Sequence, residues 1–529
     1  MMELKTAQVH SADANTTSNS DHAHSSTEDV RCIRQPALWV VIQESYKILG
    51  YCLALTAGIL LYGYDMVIVN NVSSMPQFQR DYGRKLKGQL IIPSVWLSLW
   101  SVAGPIGGLF GAIAGGFVGD RVGRRLSLVI ASLLSAIAVA ILYVSNLPTG
   151  IDERRAVFLV GKLVQGFAVY MVVCTTETYM SEVLPTMLRG PTLALFPIFT
   201  LVGQLVGSAV VRNALHTPGP RGYLNCFLSQ WPFSALALVV SVAIPESPTY
   251  LVRKSRLDAA LTSQQRLDSV KADSLAKIHH LRASAHLEKQ DTGYRECFVG
   301  VNRRRTFIVL LVNMIPNQLG ITFLAKGSYF LQIIGMGANA SLMMLQVSIG
   351  LGLAANVLSF WTLSRFGRVT LITASLSIIA ALWLGMGIAG CFRGEVTIWY
   401  SAVTLCLITF FCGAGAWPAT YAVGAETSSL RLRAKTQGLG WFTNCLSTGV
   451  AGLVLPYMFN PDQLDLGSKT GFMFFASSFV ALVTTWFFVP EMRNRTPNEI
   501  DRMFESHLPA RKFKKWFPEV AEVTVTLGA

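Results

Sequence analysis

Asp65 and Lys162 are ionisable residues that lie inside long apolar stretches of the sequence. A charged side chain within a membrane is costly to bury, so such residues usually mark an ion or substrate pathway and have a charged partner. A carboxylate in that setting can take up and release a proton, and an ammonium group can pair with it. We therefore expect Asp65 and Lys162 to interact, either in a functional site or as a static ion pair that joins two helices.

Charged residues also recur at the ends of apolar stretches. Gly123 and Arg124 recur as Gly367 and Arg368, 244 positions later in the chain. Arginines and carboxylates at neighbouring helix ends can form ion pairs, so these positions predict charged clusters on one side of a membrane. A repetition at one offset predicts two similar halves. The same offset relates Glu182 and Arg189 to Glu426 and Arg433, and an offset of 245 relates Glu246 to Glu491.

The composition places the chain in a lipid bilayer. Of its 529 residues 52% are hydrophobic and only 14% are charged, with a mean hydropathy of +0.44. A net charge of +14 could suggest nucleic acid as a partner, but the basic residues gather between apolar stretches, where they face headgroups and cytosol. We expect no nucleic-acid partner. The nine cysteines have no regular spacing, so neither a disulfide framework nor a metal site is predicted.

Twelve apolar stretches are long enough for membrane-spanning helices, which need about 20 residues each. The polar segment 246–305 between the sixth and seventh stretches carries twelve Lys and Arg against seven Asp and Glu, which predicts a cytosolic location. Both termini then lie in the cytosol as well. The stretches lie near residues 48–70, 93–118, 127–147, 157–181, 191–211, 225–245, 306–332, 341–362, 370–392, 398–424, 437–458 and 471–490.

These features predict an all-α membrane protein of 12 transmembrane helices in two six-helix halves, a layout typical of secondary transporters. In this topology Asp65 and Lys162 each lie ~10 Å of helix rise below the outer surface, so they can share one depth. The predicted domains are a disordered cytosolic tail (1–45), an N-terminal half (46–245), a cytosolic linker (246–305), a C-terminal half (306–490) and a cytosolic tail (491–529).

Several motifs of the chain resemble one transporter family. They are Gly63-Tyr64-Asp65, the charged turn 119–125, Ser181-Glu182-x-x-Pro185-x-x-x-Arg189-Gly190, Pro245-Glu246-Ser247-Pro248 and Pro490-Glu491. Together they resemble the sugar porters of the major facilitator superfamily over nearly the whole membrane region. Segments such as Tyr294-Arg295-Glu296-Cys297-Phe298 look most like the fungal α-glucoside and maltose permeases. The resemblance implies the major facilitator fold and transport by alternating access.

The resemblance also implies a role in proton coupling for Asp65 and Lys162. In proton-coupled sugar porters the matching positions hold an Asp and an Arg, which support coupling by alternate pairing and protonation. Lysine lacks the planar fork of arginine. We favour coupling over a static ion pair, because facilitators of the family tend to lack the carboxylate.

The charged residues at the cytosolic helix ends are expected to form ion-pair clusters that act as a cytosolic gate. We expect the pairs to form when the cytosolic side is closed and to be lost when it opens, so that each cluster biases a two-state equilibrium. Ser364 stands where the first copy has Asp120, which predicts unequal locking of the halves. The predicted gate residues are Asp120, Arg121, Arg124, Glu182, Arg189, Glu246, Arg368, Glu426, Arg433 and Glu491.

The central cavity departs from the family pattern. Sugar recognition needs amide and hydroxyl groups backed by aromatic faces. However, Pro197, Pro316, Asn317 and Thr322 stand where the family has other amide residues, and only Asn444 is kept. Other polar residues could compensate, or could merely bond between helices. The candidate substrate-binding residues are Gln204, Asn317, Gln318, Thr322, Tyr329, Tyr421 and Asn444.

Two further charges are unusual for the family. Glu177 could extend the cytosolic ion-pair network or could bind cationic cargo, and we favour the network. Lys326 could reach the outer interface with its long side chain, or it could attract an anion in the cavity.

The leading functional hypothesis is a proton-coupled secondary transporter of a sugar or sugar-like small molecule. The first alternative is a carrier or exporter of a non-sugar fungal secondary metabolite, and the second is a nutrient sensor that does not transport. No cofactor is expected, and no nucleophile–base set or phosphate loop predicts an enzyme. We expect a monomeric multi-pass protein of the plasma membrane.

Overall fold

The computed structural model describes residues 42–86, 89–185, 195–268, 273–287, 293–392, 394–429, 432–493 and 497–516, together with Leu188, Thr192 and Arg495. Most of the predicted N-terminal tail, part of the C-terminal tail and the predicted gate residue Arg189 lie outside these ranges.

Six long helices form the N-terminal half. They follow the predicted apolar stretches, because a backbone inside lipid must satisfy its own hydrogen bonds and a helix does so within one segment. The helices are α1 (Tyr46–Asn71), α2 (Ser94–Val122), α3 (Arg124–Val144), α4 (Ile151–Val183), α5 (Phe196–Ala214) and α6 (Arg221–Ala243).

The C-terminal half repeats this order with six further helices. They are α7 (Gly300–Leu324), α8 (Ala338–Arg365), α9 (Arg368–Ala389), α10 (Glu395–Thr427, with a π-helical segment at Cys412–Ala416), α11 (Arg433–Phe459) and α12 (Thr470–Phe488).

Eleven of the described helices are long and apolar enough to cross a membrane, one fewer than the twelve predicted stretches. The helix outside that set is α5, which is helical over 19 residues and completes the order of six plus six.

Short elements lie outside the membrane helices. The antiparallel strands β1 (Arg84–Leu86) and β2 (Gln89–Ile91) pair between α1 and α2, with Arg84 opposite Ile91. The short helices are Val72–Ser74, Pro76–Tyr82, Pro248–Arg253, Leu257–Leu267, Ser274–Leu287, Tyr294–Phe298, Gly327–Ile333, Gly467–Lys469, Pro497–Glu505 and Ala510–Lys515.

Helix packing confirms the predicted repeat. In the N-terminal half α1 packs on α5, α2 on α4 and α3 on α6, and the same pairings recur six helices later as α7 on α11, α8 on α10 and α9 on α12. The two halves meet along two helix pairs, α2 with α11 and α5 with α8. The central region of the protein therefore lies between two similar bundles.

Gly63 brings α1 against α5 two residues before Asp65. A side-chain Cβ at Gly63 would lie 2.0 Å from the Thr200 carbonyl oxygen of α5, a contact that backbone atoms cannot relieve without moving the helix. Small residues at such crossings let helices in a membrane approach closely. This contact fixes the position of α1, and with it the position of Asp65.

We predict that Gly63→Ala lowers the stability of the protein by about 1–3 kcal/mol, because the added methyl group separates α1 from α5. Thermal unfolding of the purified protein in detergent would measure the change. Gly50→Ala is the matched control in the same helix, since a Cβ there meets nothing within 4 Å. An equal melting temperature for Gly63→Ala and the wild type would contradict the close packing.

Candidate functional site

Hydrogen bonds between the two halves close one side of the central region, the side that the sequence predicts to face outward. Ser328 of the helix Gly327–Ile333 donates to Asn71 Oδ1, and the Ser74 and Ser328 hydroxyls lie 2.8 Å apart. Gln332 Nε2 donates to the Ser74 carbonyl oxygen at 2.9 Å, and Gln332 Oε1 accepts from Gln79 at 3.2 Å. All of these partners are buried or half-buried, so the bonds join the outer end of α1 to the segment after α7.

A second set of bonds joins the start of α2 to the end of α11. Asn460 Nδ2 donates to the Ile92 carbonyl oxygen at 2.8 Å, and the Tyr329 hydroxyl donates to Asn460 Oδ1 at 3.2 Å. The Ser94 backbone N–H donates to Asp462 at 2.9 Å, and Ser94 Oγ also bonds to that carboxylate. Tyr329, a predicted substrate-binding residue, is thus part of the outer closure.

The helix α7 is interrupted between Gln318 and Ile321. Pro316 lies inside its first part, which ends at Gln318, and Gly320 adopts a left-handed backbone with φ of +91°. A Cβ at Gly320 would lie 2.7 Å from the Trp383 ring. Broken helices near the bilayer midplane typically line the substrate site of secondary transporters. The apolar stretch 306–332 predicted one continuous helix. The structure instead places Lys326 beyond the break, just before the helix Gly327–Ile333.

Lys326 lies in the interior of the protein. Only 5% of the residue is exposed, and its ammonium group donates to Ser101 Oγ of α2, in the opposite half. The interpretation that Lys326 reaches the outer interface is therefore wrong, because the broken helix turns the side chain toward the other bundle.

Lys326 and Lys162 line one small cavity between the halves. Lys162 Nζ lies 3.5 Å from Asn70 Oδ1 of α1. The walls of the cavity are aromatic and aliphatic, with hydroxyl groups between them. The lining residues are Asn70, Ser73, Phe78, Leu97, Trp100, Ser101, Phe158, Lys162, Lys326 and Tyr329.

Asp65 and Lys162, which both belong to the described part of the chain, do not form the direct ion pair that we expected. The Lys162 ammonium group is directed at Asn70, about a turn and a half beyond Asp65 on α1. Asp65 Oδ1 is buried and has no hydrogen-bond partner. A buried carboxylate oxygen without a donor is unfavourable as an anion, so the geometry is suited to a carboxyl group that gains and loses a proton.

Several predicted substrate-binding residues bond between helices of the C-terminal half. Asn317 Nδ2 donates to Ser447 Oγ at 2.7 Å and to Thr448 Oγ1 at 2.9 Å, and Asn317 Oδ1 accepts from the Thr322 hydroxyl at 2.7 Å. Asn444 Nδ2 donates to the Asn313 carbonyl oxygen at 3.1 Å, which joins α11 to α7.

The remaining predicted residues are placed differently. Gln204 in α5 and Gln318 in α7 are half-buried, and the Gln318 carbonyl oxygen accepts from Ser477 of α12 at 2.8 Å. The Tyr421 ring packs on the Trp441 ring with centroids 5.8 Å apart, so the two rings form an aromatic surface between α10 and α11.

Arg124 is the centre of the charged cluster in the N-terminal half that the sequence predicts to be cytosolic. It is 4% exposed and pairs with Glu182 at 2.8 Å and with Asp120 at 2.9 Å. The Glu246 carboxylate accepts from the Arg124 backbone N–H at 2.8 Å, where it also complements the positive end of α3. Gly123 is required beside it, since a Cβ there would lie 2.3 Å from Glu246 Oε2.

Arg368 is the centre of the matching cluster in the C-terminal half. It pairs with Glu426 at 2.9 Å, and its backbone N–H donates to Glu491 at 2.9 Å. The side chains of this pair are 21% and 28% exposed, against 4% and 11% for Arg124 and Glu182. Ser364 bonds to the Trp361 carbonyl oxygen of its own helix, so it does not replace Asp120.

These two clusters each lie within one half. The ion pairs described above hold the helices of one bundle together and do not cross to the other. Arg121 is exposed and lies over the Phe117 ring, while Arg433 is exposed at the start of α11. The structure therefore brings most of the predicted gate residues together, but in two separate sets.

Glu177 does not extend the cytosolic network, contrary to the interpretation we favoured. Its side chain is half-buried in α4 and forms no ion pair with any residue that the structure describes. It lies a turn and a half from Glu182, too far along the helix for its short side chain to reach Arg124.

Sequence reasoning missed several polar residues of the central region. Asn70, Ser101, Ser447 and Thr448 bond to the predicted residues but were not singled out. A signal for their location was present in Pro316 and Gly320, because an interruption of a membrane helix indicates the site that neighbouring helices surround.

Comparisons with known proteins agree with this architecture. The chain is 28% identical over 463 residues to MFS transporter fmqE of Aspergillus fumigatus, covering 86% of this chain and 85% of that protein. It is 29% identical over 496 residues to maltose permease MAL61 of Saccharomyces cerevisiae, covering 90% and 79% of the two chains.

Among solved structures, the fold matches a partially occluded inward-open conformation of the xylose transporter XylE from E. coli, with a TM-score of 0.71 and 18% identity over 85% of this chain and all of that one. The family model described as Sugar (and other) transporter matches residues 51–504. The chain therefore belongs to this family of major facilitator transporters, and it is a multi-pass membrane protein.

Proposed function

We propose that this secondary transporter is coupled to protons and moves a sugar or sugar-like small molecule by alternating access. The observation that supports proton coupling is the environment of Asp65. This residue is a carboxylate within a membrane helix, and its buried Oδ1 has no hydrogen-bond partner. Lys162 lies on the facing helix, within reach of Asn70. A protonated Asp65 is neutral and needs no cation, whereas an ionised Asp65 attracts Lys162.

The gain and loss of a proton by Asp65 can control which side of the protein is open. When Asp65 is protonated, Lys162 keeps its bond to Asn70 near the outer closure. When Asp65 is ionised, Coulomb attraction draws Lys162 away from Asn70 and toward the centre of the membrane. We propose that this movement changes the relative stability of the outward-facing and inward-facing states.

The substrate proposal rests on the relatives and on polar residues of the C-terminal half together. Two relatives bear the names maltose permease and general alpha-glucoside permease, and another is MFS transporter fmqE, a name that states no substrate. Asn317, Thr322 and Asn444 supply amide and hydroxyl groups between the helices of that half, and Tyr421 supplies an aromatic ring there.

The closed outer side supports an inward-facing conformation in this proposal. The bonds of Asn71, Ser74, Ser328, Gln332 and Asn460 must break for the outer side to open. The clusters around Arg124 and Arg368 keep each bundle rigid during that movement, so the halves rock as units. We propose that the protein acts as a monomer in the plasma membrane, with both termini in the cytosol.

We predict that Asp65→Asn abolishes proton-driven accumulation but leaves exchange of substrate across the membrane intact. The asparagine cannot release a proton, yet it keeps the size and the polarity of the protonated carboxyl group. Uptake by proteoliposomes with an inwardly directed proton gradient would be measured for a panel of labelled sugars, polyols and sugar acids.

The matched control for this test is Asp258→Asn, which removes an exposed carboxylate from a linker helix. It should accumulate substrate as the wild type does. Undiminished accumulation by Asp65→Asn would show that another group carries the proton.

We predict that Arg124→Ala destabilises the protein more than Arg368→Ala, because Arg124 is more deeply buried and pairs with two carboxylates. Loss of one partner of a buried ion pair typically costs about 3–5 kcal/mol. Thermal unfolding in detergent would measure both, with the exposed Arg365→Ala as the control. Equal losses at Arg124 and Arg368 would contradict unequal locking of the halves.

A further inference from the structure

We infer that the substrate of this transporter carries a negatively charged group, such as the carboxylate of a sugar acid, and that Lys326 and Lys162 recognise it. This inference rests on the proposed transport function and specifies the class of substrate.

Two ammonium groups face the same small cavity between the halves. Lys326 reaches it from the broken segment after α7, and Lys162 reaches it from α4. Their hydrogen-bond partners are neutral: Lys326 donates to the Ser101 hydroxyl and Lys162 to the Asn70 amide oxygen. No acidic residue of the described chain lines the cavity.

A buried ammonium group with only neutral partners is energetically unfavourable, because a hydroxyl or an amide replaces only part of its hydration. An anion that enters the cavity removes this penalty. Hydrogen bonds between charged partners are roughly twice as strong as those between neutral ones. The site therefore favours an anionic ligand over a neutral ligand of the same shape.

The Asp65 carboxylate does not cancel both charges. Asp65 lies on α1 and forms no direct ion pair with either lysine, although all three residues are described by the structure. If an ionised Asp65 attracts Lys162, the Lys326 ammonium group still lacks a counter-ion.

In this closed structure the cavity has room for about one water molecule, so a larger anion reaches the two lysines only when the halves separate. Trp100 and Phe158 supply aromatic faces, with ring centroids 4.8 Å apart. Ser73, Ser101 and Tyr329 place hydroxyl groups at the same cavity. Once the halves separate, the same groups can contact the ring and the hydroxyls of a sugar acid while a lysine binds its carboxylate.

The test compares ligand pairs that differ only in charge. Binding of D-glucuronate and D-glucose, and of D-gluconate and D-sorbitol, would be measured by calorimetry with the full-length protein purified in detergent. We expect the carboxylate of at least one pair to bind about tenfold more tightly than its neutral partner, as an additional charge-assisted bond predicts. Equal binding within both pairs, or no binding of either carboxylate, would overturn the inference.

Variants assign the preference to the lysines. Lys326→Gln should reduce the preference for the anion to near unity, and Lys326→Arg should restore most of it. Lys85→Gln removes an exposed lysine from β1 and should leave the preference unchanged. A preference that persists in Lys326→Gln contradicts the assignment. Because the wild-type comparison needs no variant, the inference stays testable even if Lys326→Gln does not fold.

Two further measurements distinguish substrate recognition from a purely structural lysine and from an inorganic-anion site. If Lys326 only holds the halves together through Ser101, then Lys326→Gln should weaken both members of a pair equally and leave the preference for the anion unchanged, and the inference fails. If sodium chloride alone competes fully with D-glucuronate, the site holds an inorganic anion and the substrate class is wrong.

Proton-driven transport of neutral sugars would refute the inference but not the coupling, whereas tight sugar-acid binding without proton movement would refute only the coupling.

Discussion

The structure depends on the high free-energy cost of placing a charged group in the hydrocarbon region of a membrane. Asp65, Lys162 and Lys326 all lie within or between membrane helices. The two lysines bond to neutral polar groups of other segments, and one oxygen of Asp65 has no hydrogen-bond partner. Ser101 meets Lys326, Asn70 meets Lys162, and Asp65 Oδ1 has no donor. In the proposed mechanism, a proton on Asp65 and an anionic ligand at the lysines balance these charges.

The bundles are built so that this balance can move them as units. Within a half, short interhelical contacts such as that of Gly63 on Thr200 and the buried pair of Arg124 with Glu182 hold the helices rigidly. Between the halves, the outer closure consists of hydroxyl and amide bonds, which contribute about 0.5–1.5 kcal/mol each, and of bonds to the Asp462 carboxylate from Ser94 and Arg84. Strong contacts inside each bundle and weaker ones between bundles are what a rocking movement requires.

The fold was accessible from the sequence because its signals are local. Apolar length predicted the helices, and the recurrence of Gly123-Arg124 as Gly367-Arg368 predicted the repeat. The centres of the two charged clusters followed from the same recurrence. The site was harder to predict from the sequence. The interruption at Gly320 places Lys326 in the interior, and Asn317 bonds to Ser447 and Thr448. Such outcomes depend on side-chain rotamers and on three-dimensional neighbours, which spacing along one helix does not determine.

The central claim is that a proton gradient drives this transporter, and one measurement tests it most directly. Proteoliposomes clamped at zero membrane potential would be given pH gradients of increasing size, and the steady-state ratio of internal to external substrate would be recorded. For one proton per substrate, we predict that the ratio rises about tenfold for each unit of pH gradient, since one unit corresponds to about 1.36 kcal/mol. A ratio that stays at unity for every gradient would show a facilitator and contradict the account.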